Sequence, residues 1–234
     1  MSTDTVFGPV RSQTAFEETV DRLGTAIKLG LLPPGEQLPA ERELCRRLGI
    51  ARSTLRQALT ALAQSGHLIA LRGRGGGTFV ADILPPAQAP SDDVADTWRE
   101  TCDARLAVEI GVALLASERA TPADLGGLAQ LVAAMQDCGA DYAQYRPADV
   151  RFHIGLAEST GSQRLVTAMT DVQGQMGDLI AHIAHPEAVL AHANAQHARL
   201  LAAIRARDAA RAVRVMTLHL QGTEHVLAGL LPGS

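Results

Sequence analysis

Four side chains in the C-terminal half of the sequence combine residue types that bind a first-row divalent metal. Asp149 and His153 are four residues apart, so both project from one face of a predicted helix. His197 and His219 lie on the last two predicted helices, about eleven residues on either side of an expected turn near 207–208. In an antiparallel helix pair these two histidines lie at the same level and can converge. Three imidazoles and one carboxylate suit a divalent metal with one or two coordination positions left open.

The same residues also allow a structural interpretation. Asp149 follows Pro147 by two residues, and an acidic residue is favourable at a helix N-terminus whatever else it does. His153 neighbours Phe152 and could be a hydrogen-bonded core histidine. The chain has eight histidines, so three at suggestive positions are not rare. The other histidines of this half are expected to be structural or exposed: His182, His185, His192 and His225.

A metal with open positions could activate water, so hydrolase or lyase chemistry is a second interpretation of these residues. The sequence has no His-Glu-x-x-His motif. Glu158 lies five residues after His153, off its helical face, so no general base is evident beside the site. We therefore expect that the protein is not an enzyme and has no catalytic residues. A third interpretation treats the C-terminal helices as a dimerisation domain only.

A second group of residues with a chemical use is the arginine cluster of the N-terminal half. Five arginines lie within residues 38–56 of a chain whose net charge is −4. On a predicted helix with its leucines inward, Arg52, Ser53 and Arg56 share the outward face. Arginine in this position can bond bidentately to guanine O6 and N7 in the major groove of DNA. The remaining basic residues are assigned to the phosphate backbone, from the preceding helix or from a hairpin tip: Arg42, Arg46, Arg47, Arg72 and Arg74.

The elements that position these arginines follow from periodicity and turn residues. Apolar spacing predicts helices over 13–30, 41–48 and about 52–65, and Gly49 ends the second of them in a left-handed turn. The last two expected elements are strands, over 67–71 and 77–81, joined by the basic, glycine-rich tip RGRGGG. Helix, short turn, helix and basic hairpin together predict a winged helix-turn-helix domain.

The C-terminal half is predicted to be helical throughout. Six helices with short loops and no strand pattern indicate an all-α antiparallel bundle. One apolar stripe is expected on the first of them: Trp98, Cys102, Leu106, Ile110 and Leu114. The second starts with Thr121 as N-cap and Pro122 at the first helical position. The last four are expected over 147–159, 162–183, 187–206 and 208–230.

Charge and composition divide the chain. Residues 1–81 hold ten Lys and Arg against seven Asp and Glu, whereas 82–234 hold eleven against eighteen. We therefore expect a basic DNA-binding domain over 1–81, a proline-containing linker over 82–97 and an acidic helical domain over 98–234. Three widely spaced cysteines fit a reducing compartment, and neither a signal peptide nor a membrane span is apparent. The expected location is the cytoplasm, without a membrane partner.

Three N-terminal motifs carry a resemblance to a known family. GLLPPGEQLPAEREL, LGIARSTLRQALTAL and RGGGTFV resemble, in this order, the DNA-binding module of GntR family transcription regulators over about residues 14–81. The resemblance implies base and phosphate contacts by Arg42, Arg52 and Arg56, with a wing at Arg72 and Gly73 that reaches the minor groove. Two departures from the family lie at the expected helix N-caps, where Ala40 and Ala51 replace serine. Each loss of a cap is worth about 1 kcal/mol.

The C-terminal half resembles the FCD effector domain of the FadR-type subfamily over about residues 98–228. The resemblance rests on ARLAVE at 104–109, DVRFH at 149–153, HARLLAAIRARD at 197–208 and His219. It implies a transition metal, with zinc or nickel expected, held by the four residues named first. It also implies a small carboxylate effector on that metal, paired with Arg105. We expect a ligand-responsive regulator that binds a palindromic operator as a homodimer. The alternative function is a metal-dependent hydrolase or lyase fused to a DNA-binding module. A repressor is expected, although the sequence leaves the direction of regulation and the effector's identity open.

Overall fold

The computed structural model describes residues 15–71, 73, 76–84, 92–180 and 187–230, without the side chains of 17, 21, 92–97, 178 and 225–230. The chain divides into two compact units with a boundary at Pro85. The first comprises residues up to Ile27 together with 32–85, and the second comprises 28–31 with the rest of the chain.

The first unit is a winged helix-turn-helix domain, as the sequence predicted. Its described elements are α1 Ala15–Lys28, α2 Glu41–Leu48, α3 Arg52–Gln64, β1 Leu68–Leu71 and β2 Gly77–Val80. The two strands pair antiparallel, with Leu68 opposite Val80 and Leu71 opposite Gly77. Leucines from the helices close the core beneath the hairpin, and Leu55 of α3 is fully buried. Because the leucines of α3 face this core, its polar residues face outward.

The helix ends confirm the turn chemistry expected around α2 and α3. Gly49 ends α2 with φ of 67°, in the left-handed region that a side chain disfavours. Ala40 and Ala51 occupy the N-cap positions, and neither offers a side-chain hydrogen bond to the first turn. The two helices therefore begin without the cap that serine would supply.

The second unit is a helical bundle. Its described helices are α4 Asp92–Arg119, α5 Pro122–Asp137, α6 Tyr142–Glu158, α7 Gln163–Ile180, α8 Glu187–Arg205 and α9 Ala209–Leu230. Helix α4 packs against α6, α7, α8 and α9, so it is central to the bundle. Thr121 and Asp124 form the capping box that starts α5, with Pro122 at the first position. Helix α4 begins within the range expected to be linker.

One expectation about this unit was wrong, and a second was right only in part. Helix α6 starts after the N-cap Asp141, whose side chain accepts from the Gln144 N–H, so Pro147 is inside the helix. Asp149 therefore lies in the third turn, where the helix dipole no longer accounts for an acidic residue.

The apolar stripe expected on α4 is present only in part. Trp98 is buried as expected, but Leu114 is 38% exposed, and the buried face also carries Arg105, Glu109, Val112 and Ala116. Two of these four residues are charged, and an apolar-periodicity argument excludes charged residues from a buried face. Their burial requires partners from other helices.

Candidate functional site

Three helices bring the four sequence-predicted metal ligands together inside the bundle. Helix α6 supplies Asp149 and His153, α8 supplies His197 and α9 supplies His219. All four are buried, and His153 is fully so. The Phe152 ring lies against the cluster, with its centroid 4.8 Å from that of His197.

The spacing of the ligand atoms fits a single metal ion. The His197 and His219 Nε2 atoms are 3.2 Å apart, and Asp149 Oδ1 lies 3.5 Å from His197 Nε2 and 3.9 Å from His153 Nε2. One ligand nitrogen from each of the three histidines lies within 4.8 Å of the others. Two ligands about 2.1 Å from one ion at a tetrahedral angle are about 3.4 Å apart. The His197–His219 and Asp149–His197 pairs therefore already stand at about the separation that shared coordination needs, and His153 Nε2 lies further out.

Contacts outside the cluster orient two of the imidazoles. His153 Nδ1 lies 2.5 Å from Glu109 Oε2, and His219 Nδ1 lies 3.1 Å from Gln196 Oε1. A carboxylate and an amide oxygen only accept hydrogen bonds, so each Nδ1 carries the proton and each Nε2 keeps its lone pair. The His153 Nε2 atom has no hydrogen-bond partner among the described residues. This is the tautomer that binds a metal through Nε2.

Glu109 is itself held by two donors. Its Oε1 accepts from Arg105 Nε at 2.7 Å and from Gln173 Nε2 at 2.8 Å. Burial by itself raises the pKa of the Glu109 carboxyl, but the adjacent His153 and Arg105 side chains lower it well below its usual range. The group is therefore an ionised carboxylate inside the bundle, with a defined acceptor role toward each neighbour.

Asp149 is oriented in a similar way. Its Oδ2 accepts from Arg146 at 2.7 Å, and Arg146 also donates to the Gln173 carbonyl at 3.1 Å. The other oxygen, Oδ1, is the atom that faces the histidines. The salt bridge to Arg146 fixes Oδ2, and this orientation points Oδ1 into the cluster.

Burial also sets the charge of the histidines. Loss of water lowers the pKa of His197 to about 4, although Asp149 acts in the opposite direction. The pKa of His219 is lowered well below its ordinary value, first by burial and then by the neighbouring histidines. Burial alone raises the pKa of Asp149, but His153, Arg146 and His197 bring it below its usual range. Near neutral pH, His197, His219 and Asp149 have the charge states that bind metals.

Sequence analysis missed Glu109, Arg146, Gln173 and Gln196. The pairs Arg105/Glu109 and Arg146/Asp149 were visible as oppositely charged residues four and three positions apart. The two glutamines left no such signal, since their contacts come from other helices. Arg105, expected to bind the effector, is 5% exposed, and its described hydrogen bond runs through Nε to Glu109.

The predicted DNA-contacting residues lie on the first unit. Arg52, Ser53 and Arg56 are exposed on the first turns of α3, and Arg42 is exposed on α2. Gly73 at the hairpin tip is exposed and has φ of 102°. Arg72 and Arg74 lie outside the described residues. The arrangement presents arginines at the start of the second helix of a helix-turn-helix, which is the end that meets base edges.

A winged helix-turn-helix joined to a helical domain with a buried ligand-type cluster defines a class of protein, the ligand-sensing transcription regulators. Two family models match this chain: "Bacterial regulatory proteins, gntR family" over residues 16–80 and "FCD domain" over residues 100–222. The chain belongs to the GntR family of transcription regulators, with an FCD effector domain. Both expectations from sequence resemblance are thereby confirmed, and the members of this family are regulators rather than enzymes.

The sequence is similar to those of known regulators over most of the chain. It is 32% identical over 219 residues to the Escherichia coli K12 "Putative L-lactate dehydrogenase operon regulatory protein", covering 87% of this chain and 83% of that protein. It is 29% identical to the transcriptional regulator LutR of Bacillus subtilis, covering 87% of this chain and 96% of that protein. The solved structure of Escherichia coli McbR/YncC shares the fold, with a TM-score of 0.58, 20% identity and coverage of 93% and 99%.

Among the described residues, the helices include none with the length and apolar character that crossing a membrane requires.

Proposed function

We propose that this regulator senses a small carboxylate through a divalent transition metal held by Asp149, His153, His197 and His219. The observation that carries the proposal is the convergence of three buried imidazoles, whose ligand nitrogens lie within 4.8 Å of one another, with one carboxylate oxygen 3.5 Å from His197 Nε2. When bound, such an ion supplies a Lewis acid to which a carboxylate can coordinate. Zinc or nickel fits the nitrogen-rich donor set.

The residues around the cluster have separate roles in this proposal. Glu109 and Gln196 orient His153 and His219, and Arg146 turns Asp149 so that Oδ1 faces inward. Four protein ligands leave up to two positions of a six-coordinate ion open, which suits a chelating carboxylate. Arg105, close to the cluster through Glu109, is the proposed partner of the effector's negative charge.

The proposal for the first unit is sequence-specific binding of a palindromic operator by a homodimer. A two-fold protein matches a two-fold operator, and one module alone buries little surface on DNA. Arg52, Ser53 and Arg56 contact bases, Arg42 contacts phosphate, and the wing at Arg72 and Gly73 enters the minor groove. A bacterial chromosome lies in the cytoplasm, and we place the protein there.

The metal proposal is tested by metal content per chain in purified protein. His197→Ala and His219→Ala should each lose most of the bound metal. The matched control is His192→Ala, a histidine exposed on the same helix as His197, and it should keep the wild-type content. Full occupancy in both cluster variants would refute the site.

Effector binding is tested by thermal shift with a panel of small carboxylates, with and without chelator. L-lactate belongs in the panel, because the name of one relative refers to an L-lactate dehydrogenase operon. Metal at a hundredfold excess over its dissociation constant stabilises the folded form by about 2.7 kcal/mol, so chelation alone should lower the melting temperature. A carboxylate that stabilises the chelated protein as much as the metal-loaded protein would contradict metal-mediated binding.

The DNA proposal is tested by alanine substitution. Arg52→Ala or Arg56→Ala should cost about 1–3 kcal/mol and relax base preference at one position of each half-site. Arg46→Ala should weaken all sequences alike. Unchanged binding and base preference in both α3 variants would show that α3 does not recognise the bases.

A further inference from the structure

Two glutamates on α2 each accept hydrogen bonds from two arginines of the DNA-facing surface. Glu43 accepts from Arg46 and Arg47 on its own helix, at 2.6 Å and 2.7 Å. Glu41 instead reaches across to α3, where it accepts from Arg52 at 2.9 Å and from Arg56 at 3.1 Å. One carboxylate is therefore shared by the two side chains to which base recognition is assigned.

The atoms used in these contacts leave both arginines able to bind a base. Arg52 and Arg56 each donate to Glu41 through Nε. A guanidinium has five N–H donors, of which Nε carries one, so the four on the terminal nitrogens are not used by this contact. A bidentate bond to guanine O6 and N7 needs only two of them. Glu41 can keep its hold on each arginine while that arginine reads a base pair.

A carboxylate at this place is unfavourable for DNA affinity as such. Phosphates dominate binding, and a negative charge on the contact surface opposes them. The Arg52 and Arg56 side chains are 67% and 62% exposed. Without a hydrogen-bond partner each would sample many rotamers and would lose this side-chain entropy on binding DNA. A shared acceptor removes part of this cost before DNA arrives.

We propose that Glu41 is a positioning residue for base recognition, which holds the Arg52 and Arg56 guanidinium groups side by side for adjacent bases. The inference rests on the proposed role of α3 in base contact. In this role Glu41 increases the preference for the correct sequence, although its negative charge lowers the affinity for DNA of any sequence. Glu43 pairs with phosphate-facing arginines, so it lowers general DNA affinity without increasing sequence preference.

The opposite interpretation makes a distinct prediction. If Glu41 were only a surface ion pair at the favourable N-terminus of α2, its loss would raise affinity for every duplex by the same factor. Glu41 and Glu43 would then behave alike, because both lie in the first turn of the same helix.

The experiment uses the full-length protein and duplexes selected from a random library, because the operator sequence is to be determined in the same step. The quantity measured is the ratio of dissociation constants for a scrambled and a selected duplex. Glu41→Gln should reduce this ratio about tenfold per DNA-binding module, which is about 1.4 kcal/mol. Glu43→Gln should tighten binding to both duplexes and leave the ratio within twofold of wild type.

Glu41→Asp separates charge from reach. It keeps the negative charge and the helix-terminal acid but is one methylene too short to span both arginines, so it should lower the ratio with an unchanged salt dependence. A wild-type ratio in both Glu41 variants, with folding verified by circular dichroism, would overturn the proposal.

Arg52→Ala distinguishes the possible failures. If Arg52→Ala lowers the ratio and neither Glu41 variant does, α3 reads the bases without help from Glu41. If Arg52→Ala also leaves the ratio unchanged, the assignment of α3 as the recognition helix is wrong, and the inference about Glu41 is overturned with it.

Discussion

Replacing Glu109 with glutamine should weaken metal binding although Glu109 is not a proposed ligand. The reason lies in the donors around it. Oε1 accepts from Arg105 Nε and from Gln173 Nε2, so the amide oxygen of the variant must occupy this position. The amide NH2 group then takes the place of Oε2, facing His153 Nδ1. Glutamine would donate to Nδ1, and the proton of the neutral imidazole would move to Nε2, the atom needed by the metal.

The size of the effect follows from these contacts. Loss of a partner that orients a metal-bound histidine typically lowers metal affinity 10–100-fold, or about 1.4–2.8 kcal/mol. The Arg105 side chain is only 6% exposed and loses its charged partner, while keeping one neutral acceptor. We expect this second change to reduce the free energy of unfolding of the metal-free protein by about 1–3 kcal/mol. The two costs are separable because one depends on metal and the other does not.

The assay is a zinc titration of chelator-treated protein in competition with a chromophoric chelator, alongside urea unfolding without metal. Glu118→Gln is the matched control, since Glu118 is exposed on the same helix α4 and should change neither quantity. Nitrogen-15 NMR of the histidine rings reports the tautomer directly. A Glu109→Gln protein that folds and binds zinc within twofold of wild type would refute the assigned role of Glu109.

Three further predictions concern other parts of the molecule. Ala51→Ser should add the missing N-cap of α3 and raise the free energy of unfolding by about 0.5–2 kcal/mol in urea denaturation, with Ala63→Ser inside the same helix as a control that gives no gain. The metal-free protein should lose stability as pH falls from about 6.5 toward 4, because unfolded His197 takes up a proton at a higher pH than folded His197. The full loss in the free energy of unfolding is about 3 kcal/mol. In pH-dependent unfolding curves, His197→Gln should remove this loss. Operator DNA should change effector affinity by the same factor by which effector changes DNA affinity, and equal effector affinity with and without DNA would exclude allosteric control by that compound.

Local patterns in the sequence were sufficient for the elements of the first unit. The helix boundaries of α2 and α3 depend on Gly49 and on leucines at helical spacing, and both signals act within a few residues. The four-residue spacing of Asp149 and His153 likewise defines a common helical face without reference to other elements. Such features are readable from sequence because the interactions behind them are short in range.

The tertiary structure alone decided how the cluster is completed. Sequence spacing placed His197 and His219 at one level, but their 3.2 Å separation depends on the rotation of α8 and α9 about their axes. The pair Arg105 and Glu109 is buried on α4 although neither residue is apolar, because α6 and α7 supply a histidine and a glutamine to meet Glu109. Burial of a charge is favourable only when its partners are in place, and partners 44 and 64 residues away along the chain come together only through helix packing.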